Sequence, residues 1–494
     1  MRTTAFLVGI MAAATPCYAD SLGPWGEPHL SSVPRTTAER ARLQAALAPP
    51  SDFSIPNKFE TRSAGAATQM EPQSRTQFST PFPNLPADQK LDFTLGEAMF
   101  EKLWVQAPAS TNSSDGLGPL YNTRACSACH IQDGRGVVVG PDEYTGLVLR
   151  LSVPGDEMQP DPNYGFQLQD RAISGHQAEG TLGITYGEMP VTLGDGTVIT
   201  LRAPQYSVQN GTLGGLLEET ITSPRIAPQM IGLGLLEAIP EADILALADP
   251  NDTDGDGISG RPNVVWSHEF GQPMLGRFGH KAGNPTLRQQ SADAANGDIG
   301  LSSTLVPNHW GDCTEVQTKC RDERHGGTEA QDEVELGDKA LDVLTTYVAA
   351  LAPPVRRNAD DPEVLRGKAL FYQTGCTSCH TPAFVTHRLP DDPARSFQLI
   401  WPYSDLLLHD MGEGLADLRP EWQASGQEWR TPPLWGIGLT AAVSGQTSFL
   451  HDGRARTLLE AILWHDGEAF SARETVRLMD APDRAALITF LESL

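Results

Sequence analysis

The chain has 494 residues, 47 of them Gly and 38 Pro, with a formal net charge of −26. At about 100–200 residues per domain this length fits two to four domains. The charge excludes nucleic acid and anionic membrane surfaces as natural partners, and apart from the N-terminus no apolar run approaches the roughly 18 residues a membrane span needs, so no stable membrane insertion is expected.

Residues 1–19 read as a signal peptide: Arg2, the apolar run Ala5 to Ala14, then Cys17-Tyr18-Ala19 as a cleavage site before Asp20. Pro16 beside Cys17 does not suit a lipid-anchored terminus, so soluble export to the periplasm is expected. Residues 20–90 are rich in Pro, Ser, Thr and Gln and read as an irregular arm with one helix over Thr37–Leu47.

Gly96-Glu97-Ala98-Met99-Phe100 opens a helix ahead of Cys126-Ser127-Ala128-Cys129-His130. In such a Cys-x-x-Cys-His segment two thiols can form thioethers with one haem, and the histidine is placed to ligate its iron. A zinc site would have to ignore the adjacent histidine. Leu147, Leu149 and Leu151 alternate as in a strand, and Thr197 to Leu201 continues the β character.

Asp252, Asp254 and Asp256 alternate before Gly257, as in the first half of a calcium loop, although the twelfth position is Asn263 rather than Glu. A solvated acidic turn is the alternative. The stretch from Asn284 to Thr328 reads as a long loop in which Cys313 and Cys320 are close enough in sequence for a disulfide in an oxidising compartment.

The same pattern then recurs. Gly367-Lys368-Ala369-Leu370-Phe371 precedes Cys376-Thr377-Ser378-Cys379-His380, and the helix ending near Leu351 is echoed by the one ending at Leu494. Leu235 to Ile239 resembles Leu458 to Ile462, and Leu201-Arg202-Ala203-Pro204 resembles Trp429-Arg430-Thr431-Pro432. The expectation is a mainly α chain of two cytochrome c-like domains, 90–352 and 355–494, with long loops and small β insertions. Each domain would carry one covalently bound c-type haem.

Axial ligands decide what each haem does, because activation of peroxide needs an open sixth position whereas electron transfer does not. Leu458, Ile462 and His465 share one helical face, so His465 is the candidate sixth ligand of the second haem; His409 and Met411 are rivals. In this repeat Pro228 and Ala242 stand opposite His451 and His465, and neither binds iron. His176 could approach the first haem from a loop.

Phe449 to Glu460, with His451-Asp452-Gly453 at its centre, resembles the C-terminal signature of bacterial di-haem cytochrome c peroxidases and MauG-like proteins. Trp429 to Gly436, Trp401 to Met411 and Ser223 to Pro240 are similar to the di-haem oxidoreductase family, over about 90 to 494. In the peroxidases a methionine fourteen residues after the His-Asp-Gly histidine ligates the electron-transfer haem, and that offset here lands on His465. The resemblance further implies Glu237 as the catalytic base that moves a proton on bound peroxide, and Trp435 is a candidate electron relay. The implied function is a peroxidase-like oxidoreductase: the first haem reduces peroxide or another small oxidant, and the second takes electrons from a small redox protein such as a cytochrome or cupredoxin. The alternatives are a non-catalytic electron carrier, or oxidation of a protein or organic substrate as in MauG-like and rubber-oxygenase relatives.

Overall fold

Two pairs of packed helices frame the chain in the computed structural model, which describes residues 24–71, 74–111, 114–155 and 158–494. The expected signal peptide, with Cys17, lies outside the described residues. In the first pair Ala87–Phe100 packs on Asp338–Ala349; in the second, Pro362–Gln373 packs on Ala481–Ser493. Both use one device. A Cβ on Gly96 would collide with the Val343 carbonyl oxygen, and one on Gly367 with that of Ala486, so only glycine lets the backbones approach this closely. One turn on, Phe100 meets Tyr347 and His130 at ring separations of 5.2 and 6.0 Å, and Phe371 meets Phe490 and His380 at 5.2 and 6.2 Å. Each helix pair thereby buries an aromatic against the histidine of its own Cys-x-x-Cys-His turn.

The expectation of a mainly α chain needs correction. Helix accounts for 29% of the structure and strand for 19%, the latter in many two-stranded sheets. The largest is a ribbon in which Thr181–Thr192 pairs with Val198–Gln209, in register from Thr181↔Gln209 to Thr192↔Val198. Its base packs through Leu182 and Ile184 with Leu149 and Leu151, while towards its tip Leu193 and Leu201 enter the apolar core of the second half. Arg484 clamps Asp195 at 2.6 Å, and Arg477 donates to the Thr192 carbonyl at 2.8 Å. The ribbon thus ties the long first half to the last helices. The echo noted at Leu201 to Pro204 lies in this ribbon, where Arg202 donates to the Gly453 and Arg454 carbonyls.

The helix Thr37–Leu47 begins with a capping box between Thr36 and Glu39. The rest of the N-terminal segment is irregular but firmly held. Glu27 pairs with Arg277 and His387, Arg35 with Asp243, and Glu60 with Arg356 and Lys368. Among the described residues no helix is long and apolar enough to cross a membrane.

Candidate functional site

Each Cys-x-x-Cys-His segment folds as a single 3₁₀ turn, Cys126–Ala128 and Cys376–Ser378. The turn is closed by the histidine amide, which donates to the first cysteine's carbonyl, at 3.1 Å for His130 and 2.9 Å for His380. The two thiols and the imidazole therefore project from one tight bend. None of the four thiols is in a disulfide. Burial pushes Cys126 and Cys129 up to about 12 and Cys376 to about 11, so they are neutral rather than reactive thiolates.

The two histidines are oriented alike. His130 Nδ1–H donates to the Pro228 carbonyl at 2.8 Å, and His380 Nδ1–H to that of Tyr403 at 2.9 Å. A carbonyl can only accept, so the proton sits on Nδ1, and Nε2 keeps its lone pair. Burial favours the neutral, metal-binding form of both, taking His380 down to about 4. With two thiols and one pre-oriented Nε2 at each turn, the residues fit a thioether-linked haem with a histidine ligand.

His465 caps the helix Leu458–Trp464, and its Nδ1–H donates to the Ala461 carbonyl at 2.7 Å. It lies close enough to His380 for its charge to add to the depression of that residue. His465 therefore offers a second oriented Nε2 near the second Cys-x-x-Cys-His turn. The rivals are placed differently. Both nitrogens of His409 are engaged, Nε2 by Asp405 at 2.8 Å and Nδ1 by Glu468 at 2.7 Å, and Met411 packs against the apolar core of the second half. His176 is paired with Glu323 at 2.7 Å.

The structural repeat runs in a register that sequence reading missed. Phe278 bridges Asn284 just as Phe449 bridges Ala455. Thr286 caps the helix Leu287–Ala294 by accepting from the Gln289 amide, and Thr457 caps Leu458–Trp464 by accepting from that of Glu460. His280 and His451 each stand seven residues before the first helical leucine. Fourteen residues beyond them lie Ala294 and His465. The first half thus has an alanine, not the expected Ala242 but Ala294, where the second half has its candidate sixth ligand.

Between the halves lies a polar cluster built on Trp429. His451 stacks on its indole at 3.7 Å, His280 meets it edge-on at 6.4 Å, and Arg225 and Lys281 each lie 4.6 Å from a ring centre. Asp417 pairs with both cations, at 3.0 and 2.9 Å. Burial, then Arg225, pushes His280 down to about 3; burial, then Arg454, holds His451 well below its ordinary value. The matching spacings of Phe278, His280, Thr286 and Leu287 to Phe449, His451, Thr457 and Leu458 were the signal that could have located it.

Both oxygens of Glu237 are engaged: Oε1 accepts from the Leu287 amide at 2.8 Å, and Oε2 pairs with Arg395 at 2.8 Å. Trp435 is buried in the first half's core, against Gly232. The carboxylate oxygens of Asp252, Asp254 and Asp256 lie within 4.8 Å of one another, a hard-oxygen set that suits calcium, whereas Asn263 is buried and donates to the Lys281 and Glu421 carbonyls. Cys313 and Cys320 are joined to each other.

A family model described as "Di-haem oxidoreductase, putative peroxidase" matches residues 59–148 and 166–494. None of the curated proteins compared with the chain matches it.

Proposed function

The chain belongs to the di-haem oxidoreductase family, and we propose that it is an exported c-type cytochrome with peroxidase-like activity. Cys126, Cys129 and His130 would hold the first haem, and Cys376, Cys379, His380 and His465 the second. Bound there, the haems would supply the redox chemistry, peroxide reduction at the first site and electron entry at the second.

The contrast between His465 and Ala294 supports this reading. At equivalent points of the repeat, one half presents an oriented Nε2 and the other a methyl group that cannot bind iron. A haem at the first site would find no ligand from this position, whereas one at the second could be held by His380 and His465 together, which suits electron transfer.

The protein's own residues do three things. His130 and His380 are locked by the Pro228 and Tyr403 carbonyls into the tautomer that can ligate. Glu237 joins Arg395 to the start of the helix that carries Ala294, which fits a positioning role. The Trp429 cluster, with its neutral imidazoles, fills the seam between the halves.

Reducing one peroxide consumes two electrons and two protons and gives two waters, so a one-electron donor must deliver twice. The net charge of −26 favours a small basic redox protein in that role. The acidic loop of Asp252, Asp254 and Asp256 is proposed to take calcium. Steady-state oxidation of a reduced small cytochrome by peroxide tests the reading: turnover is expected and should fall at least a hundredfold in a His130→Ala variant. Equal background rates with and without the protein would leave only an electron carrier.

A further inference from the structure

Two guanidiniums near the seam are held by backbone carbonyls rather than by carboxylates. Arg135, five residues past His130, donates from Nε to the Ser448 carbonyl at 3.0 Å and from Nη2 to that of Leu450 at 2.6 Å. Arg430 donates from Nε to the Gly279 carbonyl at 3.0 Å and from Nη1 to that of Thr431 at 3.1 Å. Among the described residues neither forms a salt bridge, and Nη1 of Arg135 and Nη2 of Arg430 have no partner. Their neighbours are paired: Arg225 and Lys281 with Asp417, Arg261 with Glu428, Arg454 with Asp452. Carbonyl dipoles aim a guanidinium but do not neutralise it, and a buried charge without a counter-ion is strongly unfavourable.

Both arginines are surrounded by protein, burial pushing each down to about 10, yet each is only partly covered. Both also lie within electrostatic reach of His280. Arg135 follows the first attachment turn. Arg430 pairs with Leu408 in a short sheet, three residues from Asp405, whose amide donates to the Cys379 carbonyl at 3.0 Å.

We propose that Arg135 and Arg430 bind haem propionates, Arg135 those of the haem held by His130 and Arg430 those of the haem held by His380. Propionates held there would lie towards the seam occupied by Trp429, His280 and His451. A planar guanidinium with a free edge is matched to a carboxylate; Asp405 lies within electrostatic reach of Arg430 but is held by His409 at 2.8 Å, and burial alone acts on Arg135. The proposal rests on the reading of two attached haems.

The test is a potentiometric titration of the holoprotein, each haem followed by its own optical and magnetic circular dichroism bands, in Arg135→Gln and Arg430→Gln. A cation beside a propionate disfavours the more positive ferric state, so Arg135→Gln should shift only the first haem's midpoint downward and Arg430→Gln only the second's. The propionate bending band in resonance Raman spectra should also move in Arg135→Lys and Arg430→Lys, which keep the charge but lose the fork, so the proposal can fail even if a Gln variant does not fold. Unchanged midpoints and bands in a chain whose mass includes two haems would overturn this proposal alone. A mass without them would overturn the underlying reading as well.

Discussion

His280 and His451 approach Trp429 from two sides, one edge-on at 6.4 Å and one stacked at 3.7 Å, from equivalent points of a structural repeat. Counting fourteen residues onward from each gives Ala294 and His465. At that point of the duplicated frame one half carries a methyl group and the other an imidazole.

Ala294→His should place an imidazole where the second half has one. If the repeat governs ligation, this variant loses peroxide turnover by a hundredfold or more while both haems remain attached. Conversely, His465→Ala should convert the second haem from low spin to a form that binds added cyanide or imidazole. Absorbance titration with those ligands checks both.

Glu237→Gln keeps a hydrogen bond to the Leu287 amide but loses the charge facing Arg395. As a positioning residue, it should cost about 1–3 kcal/mol of stability and leave peroxide turnover within a few-fold of wild type. Denaturant unfolding and steady-state kinetics on one preparation separate the roles. A hundredfold loss of turnover at unchanged stability would make Glu237 the base.

His409 is buried, which by itself pulls its proton affinity down, but the Asp405 and Glu468 carboxylates more than reverse this and hold it well above its ordinary value. A raised folded value means that the imidazolium's contribution is complete below about 6.5, the unfolded value, and is lost as pH rises through the folded one. His409→Gln removes the positive charge and leaves two carboxylates facing each other, at a cost of about 3–5 kcal/mol. Unfolding measured from pH 6 upward should show the variant's deficit shrinking as the wild type itself loses the interaction.

Gly96→Ala and Gly367→Ala each push a methyl group into a facing carbonyl. Overpacking of about 1–3 kcal/mol or more is expected in each. Thermal melts of the holoprotein should fall for both, because the obstacle is helix backbone, at Val343 and at Ala486, rather than a side chain that could swing aside.

Much of the candidate site was legible because each Cys-x-x-Cys-His segment is contiguous in sequence. The two Cys-x-x-Cys-His turns and the glycine and phenylalanine of each leading helix need no tertiary knowledge to be found. The ribbon was legible only at Thr197 to Leu201: Gly183, Gly187, Pro190 and Pro204 interrupt the alternation elsewhere, where most of its residues are not buried. The repeat register was missed for a different reason. Leu235 to Ile239 matches Leu458 to Ile462 in apolar identity, whereas the structurally equivalent helix begins Leu287-Arg288-Gln289-Gln290 and is polar. Both registers put an alanine opposite His465. Arg135 and Arg430 could not be singled out from sequence, because their anchoring by backbone carbonyls is visible only in three dimensions.

The most direct measurement is the electron paramagnetic resonance spectrum of the oxidised and half-reduced protein, with and without peroxide. The account predicts one low-spin signal from the second haem and one high-spin ferric signal that changes on adding peroxide and disappears in a His130 variant. Two low-spin signals in both states, indifferent to peroxide, would contradict it.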